Sequence, residues 1–245
     1  MRAEECSPAP GFDTGHVRGI FSHISGVYDL LNHILSLGLD SGWREKLADA
    51  LLPLPERGER RILDLAAGTM ELSLVLSRRF PDYKIAALDF CKPMLRKGLS
   101  KLDGPGRHKV LPLTGDARSL PLPDACMSAS TMAFGLRNIS ERAEVYAEVL
   151  RVLTPKGRFC ILEFAGAKEP LLFGLYNFYL TRILPVAGGL VSGNYGAYRH
   201  LADSILSYPA ADELAGEMGA AGFVNVRYKK IAAGIVCLHS GEKPG

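Results

Sequence analysis

Between residues 60 and 165, short apolar runs alternate with amphipathic segments, which is typical of a parallel sheet covered by helices on both faces. The near-continuous apolar runs predict five strands, at 61–65, 84–89, 109–113, 125–132 and 158–164. Helical periodicity between these runs predicts three helices, at 71–79, 93–101 and 141–153. The pattern therefore indicates an α/β, Rossmann-like fold.

The segments on either side of this core follow different patterns. Apolar faces predict helices at 24–39, 41–52, 198–206 and 211–220. Two β runs, 224–231 and 234–239, lie close enough to form an antiparallel hairpin at the sheet edge. We expect a loose arm (1–20) followed by a single domain (21–245). The parts of that domain are a helical cover (21–57), a cofactor-binding core (58–165), a lid with helices (166–222) and terminal strands (223–245).

Composition excludes several classes of protein. The 29 Lys and Arg against 26 Asp and Glu give a net charge of +3, with scattered basic residues, so we predict no nucleic-acid partner. The 5 cysteines are widely spaced, which predicts no zinc-type metal site and suits a reducing compartment. The first 13 residues carry acids and prolines without an apolar run, so we expect no signal peptide and a cytoplasmic location.

One apolar stretch, residues 171–191, is long enough to span a membrane. It also contains Arg182, Pro185 and the pair Gly188 and Gly189. An arginine near the centre of a spanning helix costs about 2.5–3.5 kcal/mol on insertion scales. We therefore favour a kinked, buried or interfacial segment over a transmembrane helix, and peripheral contact with the inner face of the membrane stays open.

The first predicted strand leads into a turn of small residues, Ala66, Ala67, Gly68 and Thr69, and then into a helix. Small side chains let a ligand approach the backbone closely, and the helix N-terminus offers unpaired N–H groups. By itself the turn has a plain alternative, an ordinary connection between a strand and a helix.

Acids at the ends of neighbouring strands favour a nucleoside ligand. Asp89 ends the second strand, 25 residues after Asp64, where doubly wound folds bind ribose hydroxyls. Asp116 and Ala117 follow the third strand, where a carboxylate can accept a hydrogen bond from an adenine amine. The turn lacks the glycine pattern of pyrophosphate-binding loops. An acidic Asp64 suits a positive sulfonium and amino group, so we predict S-adenosylmethionine as the cofactor.

Several stretches, taken in order, resemble the ubiquinone/menaquinone biosynthesis C-methyltransferase family. They are YDLLNHILSLGLDSGW (28–43), FGLRN (134–138), RVLTPKGRFCILEFA (151–165), AYRHLADSI (197–205) and AGIVCLHSG (233–241). The resemblance implies a class I methyltransferase fold with a mostly parallel seven-stranded sheet. It places the family's cofactor residues on Thr69, Asp89, Asp116 and Ala117, and implies methylation of a ring carbon of a lipid-tailed quinol.

The sequence departs from the family pattern at two notable positions. Met70 stands where the family has a glycine, and Asp40 where it has a histidine. A methionine disfavours a positive φ and adds bulk beside the cofactor. If the site tolerates Met70, its side chain must point into the helix–sheet interface. Otherwise cofactor affinity falls, and a non-catalytic relative becomes the alternative.

A ring carbon becomes a good nucleophile when an adjacent hydroxyl loses its proton. Arg137, beyond the fourth strand, is the candidate to stabilise that phenolate, the alternative being a surface arginine at a loop. Tyr28, Asp29 and Asn32 fall on a helix that would cover the cofactor, and Asp29 is a candidate proton acceptor or a structural acid.

We expect residues 171–191 to line the passage for the lipid tail, and a homodimer stays open. The leading hypothesis is conversion of demethylmenaquinol to menaquinol. The alternative acceptors are the ubiquinol precursor or another aromatic or lipid molecule.

Overall fold

The computed structural model describes residues 36, 38–54, 60–102, 109–165, 174, 178, 181–182 and 203–245. Within these ranges the strands are β1 (Arg61–Leu65), β2 (Lys84–Asp89), β3 (Val110–Thr114), β4 (Met127–Ala133), β5 (Leu153–Phe164), β6 (Val224–Ile231) and β7 (Val236–Glu242). The α-helices that are described over their full length are α1 (Asp40–Ala50), α2 (Glu71–Arg79), α3 (Lys92–Leu99), α4 (Arg142–Val152) and α5 (Ala211–Ala221).

The seven strands form one sheet in the order β3-β2-β1-β4-β5-β7-β6. Strands β1 to β5 pair in parallel, and β7 pairs antiparallel with both β5 and β6. The chain moves from β1 to β2 and β3 in one direction, then returns to β4 on the other side of β1. Because strand order reverses beside β1, the carboxyl ends of β1 and β4 border a crevice in which such sheets bind ligands.

Two apolar layers hold the helices against the sheet. On one face, α1, α2 and α3 pack through buried side chains that include Leu47, Leu76 and Leu95. On the other face, α4 and α5 pack through Val149 and Met218, among others. Because both faces are covered, the central strands are buried on both sides, which explains why their sequences form near-continuous apolar runs with few charged residues.

The predicted elements agree with the structure apart from several boundaries. The bounds of β1, β2, β6 and α2 are those predicted, and the terminal antiparallel pair is confirmed. Strand β5 begins at Leu153 and not at residue 158. The added part contains Pro155 and Lys156, which has φ of 63° and donates its N–H to the Lys243 carbonyl. Proline is a turn signal in a sequence, and a positive φ is unusual in a strand. The sequence pattern therefore did not predict this part of β5.

Some predicted segments lie outside the described residues. These are the arm, the helix at 24–39 apart from its end, most of the lid segment 171–191, and residues 198–202 of the helix at 198–206, whose remaining residues are helical. Among the residues that the structure does describe, none of the helices has both the length and the apolar character needed to cross a bilayer.

Candidate functional site

The turn between β1 and α2, residues 66–70, lies at the carboxyl end of the sheet. Ala66, Gly68 and Met70 all have positive φ, at 51°, 54° and 63°. The N–H of Ala67 donates to the Leu88 carbonyl at 3.0 Å, which ties the turn to the neighbouring strand β2. This β1–α2 turn is therefore a compact loop of small side chains beside the end of β2, as the sequence predicts.

Asp89, at the end of β2, joins this turn to the start of α3. One carboxylate oxygen accepts from the Gly68 N–H at 2.8 Å, and the other accepts from the Cys91 N–H at 2.7 Å. Burial raises the pKa of Asp89 above its ordinary value, against the lowering effect of these two donors. Each carboxylate oxygen has a further lone pair. The geometry therefore leaves acceptor capacity for the hydroxyls of a ribose.

Asp64 lies beneath the turn with 1% of its surface exposed. Its carboxylate accepts from the Ser73 hydroxyl at 2.5 Å and from the Thr131 hydroxyl at 3.2 Å. Burial is the largest influence and raises the pKa of Asp64 to about 7, against the lowering effects of the two hydroxyls and of Arg44. A carboxyl that titrates near neutral pH responds strongly to a cation placed above it. Its assignment as a cofactor residue stays a prediction.

Asp116 and Ala117 follow β3 at the same sheet edge. The Asp116 carboxylate accepts from both the backbone N–H and the guanidinium of Arg118, with a shortest contact of 2.7 Å. Burial acts to raise the pKa of Asp116, but the hydrogen bonds and charge of Arg118 together lower it below its ordinary value. The acid is thus ionised and held in place beside a buried alanine, an arrangement that suits an adenine amine.

The sequence predicts that a tolerated Met70 points its side chain into the helix–sheet interface, and that a methionine disfavours a positive φ. The structure agrees with the first expectation only. The Met70 side chain is fully buried in the apolar layer beneath α2 and α3, so it points away from the crevice. Its backbone nevertheless adopts the left-handed conformation that a methionine disfavours. The turn therefore keeps the shape that a glycine would give it, and the methionine adds apolar contacts on the side away from the crevice.

Arg137, beyond β4, is buried in an ion pair and is not a surface residue. Its guanidinium donates to the Glu163 carboxylate at 2.7 Å, and the two side chains are 5% and 1% exposed. It also donates to the Phe134 carbonyl at 2.6 Å. Glu163 further accepts from the Phe164 N–H at 3.0 Å. The pair fixes a guanidinium at the carboxyl ends of β4 and β5.

Two aromatic rings lie between this arginine and a second one. The Phe134 and Phe164 ring centroids are 5.0 Å apart. The Arg137 guanidinium carbon lies 5.5 Å from the Phe164 centroid, and the Arg44 guanidinium carbon lies 5.9 Å from the Phe134 centroid. Arg44 is itself buried in an ion pair with Asp40. This half of the site thus presents flat apolar surface between two fixed cations.

The two halves meet at Gly135 and Ala66. A Cβ built on Gly135 would lie 2.5 Å from the Ala66 Cβ, closer than real side chains approach. The main chain after β4 therefore rests directly on the β1–α2 turn.

Sequence reasoning missed three members of the site, Glu163, Ser73 and Arg44. Glu163 carried a usable signal, because an acid inside the apolar run of β5 is buried and needs a partner. Ser73 and Arg44 carried none, since a serine or an arginine on a helix is usually solvated. The predicted residues Tyr28, Asp29 and Asn32 lie outside the described residues.

Comparison with known proteins gives concordant matches. The ubiE/COQ5 methyltransferase family profile matches residues 11–243. A demethylmenaquinone methyltransferase of Thermus thermophilus is 42% identical over 92% of this chain and 100% of its own length. A ubiquinone/menaquinone biosynthesis C-methyltransferase of Syntrophotalea carbinolica is 41% identical over 95% of this chain and 94% of its own.

Solved structures agree on the fold. A SAM-dependent methyltransferase from Thermotoga maritima superposes with a TM-score of 0.64 at 16% identity, covering 91% of this chain and 99% of the other. At that identity the likeness establishes the class I methyltransferase fold alone.

Proposed function

Since the chain belongs to the ubiE/COQ5 methyltransferase family, we propose that it transfers a methyl group from S-adenosylmethionine to a ring carbon of demethylmenaquinol, giving menaquinol. The relatives at 41–42% identity that carry demethylmenaquinone methyltransferase names support this acceptor. One structural observation carries the proposal. The carboxyl ends of β1, β2 and β3 bring three acids to one side of the crevice, and β4 and β5 bring a fixed guanidinium to the other.

The residues present fit S-adenosylmethionine. Asp89 would bind the ribose hydroxyls with its remaining lone pairs, and Asp116 with Ala117 would bind the adenine. Gly68 and Thr69 would contact the methionine portion, and the buried Asp64 would favour its positive charges through a medium of low dielectric constant. When bound, the cofactor supplies an electrophilic methyl group. The side chains would hold donor and acceptor at attack distance and exclude water.

Arg137 serves the acceptor in this proposal. A phenol ionises near pH 10, so a fixed positive charge beside the ring hydroxyl favours the phenolate and activates the neighbouring carbon. An arginine remains protonated and is a poor base itself. Phe134 and Phe164 provide an apolar surface of the right kind for a flat ring.

Tyr28, Asp29 and Asn32 complete the acceptor side in this proposal. They lie on the predicted cover helix, and Asp29 is the candidate proton acceptor. The quinol tail would run along residues 171–191, which would rest on the inner face of the membrane, so that the protein works from the cytoplasm. Two copies would associate as a homodimer.

The direct test is methyl transfer by the purified protein from labelled S-adenosylmethionine to reduced naphthoquinol and benzoquinol acceptors with short isoprenoid tails. We expect transfer to the naphthoquinol, with the label on the ring carbon. Faster transfer to the benzoquinol would reassign the acceptor to the ubiquinol precursor. Binding of the cofactor without transfer to either acceptor would contradict the proposal and favour another aromatic or lipid acceptor. Quinones extracted from a deletion strain would then identify the step that is lost.

A further inference from the structure

Helix α3 packs against the β1–α2 turn at more than one point, although none of the predicted site residues lies in this helix. At its start, the Asp89 carboxylate binds both the Cys91 N–H and the Gly68 N–H. One turn further, the Met94 methyl lies 3.5 Å from where a Cβ on Gly68 would stand. The helix is therefore in contact with the turn from its first residues.

The closest contact is between Gly98 and Met70. A Cβ built on Gly98 would lie 2.6 Å from Met70 Cγ and 3.0 Å from Met70 Cβ. The Cγ could swing away, but the Cβ is bonded directly to the turn backbone and cannot. The missing side chain at position 98 thus makes room for the methionine at position 70. A methyl group at position 98 would push on the main chain of the turn itself.

Lys101, just after α3, holds the far side of the turn. Its ammonium donates to the Glu71 carboxylate at 2.6 Å and to the Thr69 carbonyl at 3.3 Å. The lysine thus links the helix to the backbone of Thr69, a proposed cofactor contact, and to the first residue of α2.

We propose that Gly98 and Lys101 are positioning residues for S-adenosylmethionine, which hold a turn carrying Met70 in the conformation that the cofactor needs. This inference rests on the proposed function and extends it to a helix outside the site. Gly98 compensates for the methionine by leaving its side chain room, and Lys101 fixes the carbonyl of Thr69. Neither residue touches the acceptor side, so both act on cofactor affinity and leave the methyl-transfer step unchanged.

The test is a double-mutant cycle read by calorimetric titration with S-adenosylmethionine. Gly98→Ala should raise the dissociation constant about ten-fold, since overpacking against a fixed Cβ costs about 1–3 kcal/mol. In the Met70→Gly background the same substitution should have an effect below about two-fold, because the obstructing Cβ is gone and alanine favours the helix. Saturating cofactor should restore kcat to about the wild-type value in every variant.

Lys101→Met provides an independent arm, which also serves if Gly98→Ala does not fold. We expect its dissociation constant to rise about five-fold, because a charge-assisted hydrogen bond is lost from a partly exposed site. Gly219→Ala, where a Cβ meets nothing within 4 Å, and Lys84→Met, on the exposed start of β2, are the matched controls and should bind as the wild type does.

If the Lys101→Met protein and a folded Gly98→Ala protein both bind S-adenosylmethionine with the wild-type dissociation constant, this inference is wrong and the proposed function still stands. A Gly98→Ala defect that persists in the Met70→Gly background would also overturn this inference. A wild-type protein that binds no S-adenosylmethionine would overturn the proposed function, and this inference with it.

Discussion

The two sides of the crevice are built in different ways. On the cofactor side, at the ends of β1, β2 and β3, the turn is held by backbone N–H groups on the Asp89 carboxylate, and small residues leave space. On the acceptor side, at the ends of β4 and β5, the contacts join side chains far apart in the chain, such as Arg137 and Glu163. On the first side, the backbone keeps its left-handed conformation with a methionine at position 70. The second is built mainly from contacts between side chains.

The largest effect should come from removing the cation on the acceptor side. We expect Arg137→Ala to lower turnover by about 10²–10³-fold, because a fixed charge that stabilises the developing phenolate is lost. The dissociation constant of S-adenosylmethionine should stay within about two-fold of wild type. Steady-state kinetics and titration on the same preparation separate the two.

Arg137→Ala also leaves Glu163 buried without its cation, which costs about 3–5 kcal/mol of stability in such sites. The paired variant Arg137→Leu/Glu163→Gln removes both charges and is the control for this loss. The paired variant should unfold at a higher temperature than Arg137→Ala and should turn over as slowly as Arg137→Ala does. Wild-type turnover in the paired variant would reject the role of Arg137.

The next effect lies on the cofactor side. Asp89→Ala should weaken S-adenosylmethionine binding about ten-fold or more, since the ribose partner and the link between the turn and α3 are lost together. Asp89→Asn keeps one acceptor oxygen, so its affinity for S-adenosylmethionine should lie between those of the wild type and Asp89→Ala. The KM of the acceptor, measured at saturating cofactor, should not move, and an unchanged cofactor affinity would remove Asp89 from the ribose site.

A smaller effect concerns pH. Asp64 has an ordinary pKa of 3.8 and a pKa of about 7 in the folded protein. Its contribution to folding stability is therefore fully present below pH 4 and is lost as the pH rises to 7. A cation bound above it favours the ionised form, so S-adenosylmethionine should bind several-fold more tightly at pH 8 than at pH 6, with release of a proton. Calorimetry in buffers of different ionisation enthalpy measures that proton.

Asp64→Asn is the control for this prediction, because the amide has nearly the same shape and does not titrate. Subtracting its pH profile from that of the wild type removes the titration of the cofactor itself. Identical profiles for the two proteins would show that Asp64 does not sense the bound cation.

The smallest effect belongs to the aromatic pair. Phe164→Leu removes the ring against Arg137 and Phe134, and should raise the acceptor KM about three- to five-fold. Cofactor affinity should stay constant. Phe80→Leu, a similar loss of ring volume in the apolar layer near the end of α2, should leave the acceptor KM unchanged. Equal changes in the two variants would mean that only general packing was lost.

The sequence predicts the cofactor side better than the acceptor side for a physical reason. β1, the β1–α2 turn and α2 are contiguous, so the apolar run, the small residues and the helix period together indicate the geometry. The pairing of Arg137 with Glu163 joins residues 26 positions apart, and periodicity is insensitive to such a contact. The acid inside the apolar run ILEF was the available signal.

Helix α3 carries a similar signal. Gly98 sits inside a predicted helix, where a glycine costs about 1 kcal/mol relative to alanine and so indicates close packing. The sequence does not reveal that the partner is Met70, because the two residues come together only once the sheet forms. Met70 in the turn and Gly98 in the helix therefore have a structural explanation only as a pair, because the glycine leaves room for the methionine side chain.

The contact between Gly135 and Ala66 has a consequence for how the two substrates meet. Because the Gly135 main chain rests on the Ala66 methyl group, which has no rotamers, neither residue can rotate a side chain to widen or narrow the gap. In the proposed reaction, the strands themselves would thus set the spacing between the donor and acceptor compartments. Differences in tail length or headgroup size among acceptors would then be accommodated by the conformation of the bound lipid, and not by a change in the distance between the reacting atoms.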